Sequence, residues 1–319
     1  MPGTLPKAYN LPVHRQCLDL RQSLVFDVCV GARGNGAGGP SAEGNEVAMT
    51  SRKQLALTSA CSVLTLLLAI GRASPQEAAA ASAKTWADRV QEIEEFLKTA
   101  EVVDIEDLKV GVTRPRRAKL APGGPVESIA WKAIRPGRYG GFWESYKSEI
   151  AAYEVDKLLR LGMTPPTVER RVAGDLGAAV MWVSPVQSFK QLGGVPGQKG
   201  VTAPPPARMA AWNEQLTRAK MFDNLIGNID PNLGNWLVDP AWNLILIDHT
   251  RAFTTDKTLY HQLMRVDVEL WEKMKALDEA SLTAATGNWL DKGQIKAVLQ
   301  RRDKLQEVVD KLLQASAKR

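Results

Sequence analysis

Apolar residues recur at helical spacing in three long stretches of this chain and crowd into short, strand-like runs between them. From Trp86 to Ala100, Val90, Ile93, Phe96 and Leu97 fall on one face, which predicts a helix. Residues 141–162, GFWESYKSEIAAYEVDKLLRLG, give the clearest helical pattern. Ile150, Tyr153, Leu158 and Leu161 mark its apolar face, and Gly162 supplies a stop. A last helix, about Lys292 to Ala315, carries Ile295, Val298, Leu299, Leu305, Val308, Val309 and Leu312 at the same spacing. Residues 102–113, 115–134, 164–172 and 177–184 read as strands of a small antiparallel sheet, with APGGP (121–125) as a turn. The stretch 191–208, rich in Gly and Pro, reads as a loose crossing. Beyond residue 208 the pattern is mainly helical, with one hairpin inside 221–253. The predicted class is α+β in two lobes, a small antiparallel sheet lobe and a mainly helical lobe.

Composition adjusts this picture at the N-terminus. With 319 residues, 45% of them hydrophobic, the chain can build one large domain or two lobes with real cores. The run Leu55 to Ile70 is uncharged, follows Arg52 and Lys53, and precedes the small residues Gly71 and Ala73. This pattern predicts a secretory signal peptide over 49–73 and an exported mature chain, touching membrane only through the leader. Residues 1–48 include the low-complexity GARGNGAGGPSAEGN and read as a disordered or mis-called extension ahead of a start at Met49. The expected body is a first lobe over 84–190, the crossing segment, and a second lobe over 209–315.

Charge and residue counts narrow the chemistry. The net charge of +6 comes with no dense basic block interleaved with aromatics, so no nucleic-acid partner is expected. Cys17, Cys29 and Cys61 all precede the body, and His14, His249 and His261 are the whole histidine complement. A Cys/His zinc site and a cysteine nucleophile in the body are thereby disfavoured. There is no G-x-S-x-G elbow for a serine hydrolase.

The informative stretch is MFDNLIGNIDPNLGNWLVDPAWNLILIDHTRAF, residues 221–253. Asp230 is followed five residues later by Asn235. WLV (236–238) and LILI (244–247) can pair about the Asp239-Pro240 turn, which returns Asp248 to the side of Asn235. A carboxylate for the attacking hydroxyl and two oxygen ligands for a nucleotide-bound metal are what phosphoryl transfer asks of a protein, together with a cation on the phosphates. The same residues also suit an ordinary turn. Upstream, Lys132 in AWKAI sits in an apolar strand, and Glu149 follows seventeen residues later on the long helix. A snorkelling strand lysine and a solvated helix acid are the plain alternatives for each alone. All five in this order point to a kinase.

Taken with SEIAAYEVDKLLRLGMTPPTVERR (148–171), this stretch resembles the secretory-pathway kinases of the Golgi casein-kinase type and their bacterial relatives. HipA and the phosphatidylinositol kinases are more distant members of that atypical, protein-kinase-like fold. The resemblance implies that Lys132 contacts the nucleotide phosphates and that Glu149 pairs with it or helps hold metal. It implies Asp230 as the catalytic Asp, and Asn235 and Asp248 as ligands of Mg²⁺ or Mn²⁺ on ATP. Arg114 and Arg116 in GVTRPRRAKL (111–120) stand where the phosphate-covering loop is expected, and a solvated basic loop is the alternative there. The acceptor, whether protein, glycan, lipid or small molecule, is not implied. The chain departs from the pattern in four respects. It has no G-x-G-x-x-G, His249-Thr250 follow Asp248 in place of Phe-Gly, and no A-P-E element is present. Pro231 follows Asp230, where relatives carry Arg, and so removes a donor and a guanidinium. A metal-dependent phosphotransferase, a scaffolding pseudokinase and a kinase-fold nucleotidyl transferase all remain open on these residues.

Overall fold

A computed structural model describes residues 82–108, 115–230 and 232–318. The expected extension and leader, Arg114 and Pro231 lie outside the described residues. Among those described, no helix is long and apolar enough to cross a membrane.

The chain is α+β, as its pattern predicts. Helix α1 (Val90–Thr99) precedes strands β1 (Val102–Asp107), β2 (Arg116–Leu120) and β3 (Ser128–Lys132). A small hairpin, β4 (Gly137–Tyr139) with β5 (Phe142–Glu144), leads into helix α2 (Tyr146–Leu159). Strands β6 (Thr167–Val172) and β7 (Asp175–Met181) then complete a five-stranded antiparallel sheet of order β1-β2-β3-β7-β6. The strand alternation of β3 decides what this sheet can do. Ile129 and Trp131 enter a core with Ile93 and Leu97 of α1, while Ala130 belongs with Tyr146 and Ile150 of α2. Lys132 has the parity of Ala130, so its side chain leaves the sheet on the α2 side. Gly177 allows β7 to approach here, since a Cβ at that position would lie 2.4 Å from the Lys132 carbonyl oxygen.

Two helix starts differ from the pattern. α1 begins at Val90, and Trp86 is tucked into the core from a preceding turn. The predicted helix at 141 begins at Tyr146, because Phe142 and Trp143 pair back onto β4 and Ser145 caps the helix by accepting from the Lys147 N–H. α2 ends at Leu159 with Arg160 in the left-handed region, ahead of Gly162. Its apolar face also differs. Leu158 is exposed, while Tyr146, Ser148, Glu149 and Asp156 are buried, because α2 is enclosed between the sheet and the helical lobe and has little solvent face to mark.

Strand β8 (Gln187–Ser188) joins a second small sheet, β10-β9-β8, formed with β9 (Trp236–Val238) and β10 (Leu244–Leu246). Around it pack α3 (Met209–Ile226), α4 (Val268–Lys275), α5 (Glu279–Thr286) and α6 (Lys292–Ala317). α6 starts where the pattern places it, because Asp291 and Gln294 form a capping box. Its buried Arg301 donates to the Leu225 and Thr254 carbonyls, which ties the end of α3 to the chain beyond Asp248.

Candidate active site

Three short segments build the site around the chain at Asp248. The first is the loop that leaves α3. Gly227 ends that helix in the left-handed region at φ 64°, and the Asn228 N–H returns to the Asp223 carbonyl. The loop is then built from its own polar side chains. Asn228 Oδ1 accepts from the Asp230 N–H at 3.2 Å, Asp230 Oδ1 from the Asn232 N–H at 3.2 Å, and Asn232 Oδ1 from the Gly234 N–H at 2.8 Å. The turn chemistry anticipated for these residues is therefore present, and it fixes Asp230 within the loop. The loop closes on Asn235, whose carbonyl accepts the Ile247 N–H at 3.0 Å.

The second segment follows β10. Asp248 takes a left-handed conformation at φ 62°, which costs a non-glycine residue energy and turns its carboxylate back toward β3. There Lys132 Nζ donates to Asp248 Oδ1 at 2.8 Å and also, over a short contact, to Glu149 Oε1 from α2, the third segment. Lys132 and Glu149 are buried, at 7% and 2% exposure, whereas the Asp248 side chain keeps 30%. Burial works against the Lys132 charge, but the two carboxylates outweigh it and hold the ammonium above its ordinary value. Burial pushes Glu149 up despite Lys132; Asp248 is drawn down by Lys132 although burial opposes it. One ammonium thus faces two acids, of which Asp248 is the more readily ionised and the more open to solvent.

His249 fills the position after Asp248 as a buried wedge against Phe222, with ring centroids 6.0 Å apart. Burial and the nearby Lys132 push its imidazole down to about 3, so it is neutral and is not a proton-transfer group at neutral pH.

The structure thus brings Lys132, Glu149 and Asp248 together, with Asn235 one backbone hydrogen bond from the chain leading into Asp248. It does not bring Arg116 to Lys132. Arg116 lies opposite Trp131 in the β2–β3 register and so on the other face of the sheet, by the same parity that aims Lys132 at α2. Arg117 has the Lys132 parity, but its guanidinium stacks 4.6 Å from the Trp182 ring and donates to Ser128 Oγ.

No family model matches the chain, and no curated protein matches it. Solved structures do. The structure of hydra Fam20 with sugar aligns at 15% identity with a TM-score of 0.53, over 71% of this chain and 89% of that one. The Golgi casein kinase aligns at 13% identity with a TM-score of 0.51, over 71% and 77%. The fold is that of an atypical protein kinase.

Within this kinase-like fold the donor set can be tested against a divalent cation. Asp248 offers a partly open carboxylate, an oxygen donor of the kind a divalent cation takes. Asn235 is buried, and its side-chain nitrogen has no hydrogen-bond partner; only its amide oxygen could ligate a cation. Both would present oxygen, as Mg²⁺ and Mn²⁺ require. Among the described residues no cluster of three His, Cys, Asp or Glu side chains forms a self-sufficient metal cage.

Sequence reasoning missed Arg251 and Glu144. Arg251 Nε and Nη2 both donate to Glu144 Oε1, at 2.9 and 2.7 Å, and its Nη1 lies 3.5 Å from Asp230 Oδ2. The one available signal was a cation three residues beyond a candidate metal ligand.

Proposed function

We propose that this chain is a metal-dependent phosphotransferase that moves the γ-phosphoryl group of ATP to a hydroxyl acceptor. The observation that carries this reading is the double engagement of Lys132 by Glu149 and Asp248 in a kinase-like fold. Lys132 holds the nucleotide phosphates and is kept in place by Glu149. Asp248 and Asn235 hold Mg²⁺ or Mn²⁺, which neutralises phosphate charge when bound. Asp230 orients the acceptor hydroxyl and takes its proton. Residues 84–190 and 209–315 are the two lobes and 191–208 the crossing between them. The leader-like segment 49–73 supports export of the body.

The test is thermal unfolding of the purified chain with ATP and Mg²⁺ or Mn²⁺, for wild type, Asp248→Ala and Asp230→Ala, alongside phosphate release. A ligand that binds the folded state raises its melting temperature. The expected outcome is a metal-dependent rise in wild type and Asp230→Ala that disappears in Asp248→Ala, with turnover in wild type alone. Retained turnover in both variants sinks the assignment. Binding without any turnover favours a pseudokinase, to which Pro231 beside Asp230 lends a motive. Intact mass of a modified acceptor separates phosphoryl from nucleotidyl transfer.

A further inference from the structure

The chain beyond Asp248 runs along the start of α2. The Ser145 N–H donates to the Thr250 carbonyl at 2.9 Å, and Ser148 Oγ to the Ala252 carbonyl at 3.1 Å. Arg251 lies between these two ties. Its guanidinium is stacked 4.6 Å from the Phe142 ring centroid of β5 and forked onto Glu144, which is buried to 3% exposure. Three of its features are thereby fixed (plane, charge and direction), and the remaining nitrogen is presented to Asp230 Oδ2.

We propose that Arg251 is the positioning residue for Asp230, bringing from the Asp248 side the guanidinium that Pro231 cannot supply. The other Asp230 oxygen is held by the Asn232 N–H, so loop and guanidinium together set the rotation of the carboxylate. Because Glu144 directly precedes the Ser145 cap of α2, the same guanidinium links Asp230 to the helix that carries Glu149. A lysine would keep the charge but could neither fork onto Glu144 nor reach Asp230 at the same time. This inference rests on the phosphotransferase reading.

The experiment uses the full chain and Mg·ATP, with phosphate release as the rate and amide exchange of the peptide spanning 228–236 as a readout that needs no turnover. In Arg251→Ala, kcat is expected to fall about 100-fold, the cost of a misplaced reacting group. Mg·ATP affinity stays within about threefold, because no nucleotide contact is removed. Free guanidinium ion restores part of the rate, which a purely structural loss does not allow. Amides of 228–236 exchange faster while those of α6 do not change. Arg251→Lys and Glu144→Gln keep the test alive should the alanine variant fail to fold; each is expected to lower kcat and loosen the same peptide. Wild-type kcat together with wild-type exchange in the variants overturns the proposal. Should wild type release no phosphate, the phosphotransferase reading fails on its own, and the exchange of 228–236 then decides the role of Arg251.

Discussion

Beneath the Asp230 loop, Asp223 and His261 make a buried pair whose two members should have opposite effects on stability. Asp223 is 1% exposed. Its Oδ1 accepts from Asn228 Nδ2 at 3.1 Å, and its Oδ2 lies 3.5 Å from His261 Nε2, with neither of the latter atoms hydrogen-bonded. Burial pushes the Asp223 carboxyl up to about 7, although the Asn228 donor pulls the other way. Burial, aided by the Lys220 charge, pushes the His261 imidazole down to about 4. An unfolded Asp titrates near 3.9 and an unfolded His near 6.5. From about pH 4 to 7 the folded chain therefore binds more proton at Asp223 than the unfolded chain does, and stability from this group falls as pH rises. From about pH 4 to 6.5 the unfolded chain binds more at His261, and stability from that group rises with pH. Each slope approaches about 1.4 kcal/mol per pH unit, and in wild type the two nearly cancel.

Single variants should uncover them. Asp223→Asn keeps an acceptor for Asn228 and gives His261 a donor, so its stability should climb between pH 4.5 and 6.5, by up to about 3 kcal/mol. His261→Gln leaves the carboxyl, and its stability should decline over the same window. Urea unfolding at pH 4.5, 5.5 and 6.5 measures both. Other groups that titrate in this range are common to the two variants, so the difference in slope is the clean quantity. Equal slopes to within about 0.5 kcal/mol per pH unit, close to the error of such extrapolations, would refute the reasoning.

Two further variants test the frame around the site. Gly227→Ala puts a Cβ at φ 64° and 2.7 Å from Arg301 Cζ, displacing the guanidinium that binds the Leu225 carbonyl. It should cost about 2–4 kcal/mol in urea unfolding, from backbone strain and lost hydrogen bonds. Lys132→Met leaves Glu149 and Asp248 facing each other without a cation and should cost about 3–5 kcal/mol. Adding Glu149→Gln should return much of that loss, and a double-mutant cycle in which the two effects merely add contradicts the buried network.

What could be read in the sequence was whatever depended on spacing. WLV-DP-LILI announces a hairpin because its alternation and its turn lie close together in the chain, and β9 and β10 form there. Lys132 stood out because a charge in an apolar strand needs a partner. The direction of Arg116 could not be read for a related reason: a basic run has no parity until its register with β3 is known. Helix α2 shows the limit most clearly. Its position decides whether Glu149 meets Lys132, yet it is held from outside. Glu94 of α1 accepts from Tyr153 Oη at 2.7 Å and Lys157 Nζ at 2.8 Å, and Arg251 grips Glu144 at its start. These partners lie 59, 63 and 107 residues away in the chain, beyond any periodicity. Both anchors are built into the folded body, one from α1 and one from the segment after Asp248. The Lys132–Glu149 contact is thus framed by side chains that only the tertiary fold brings together.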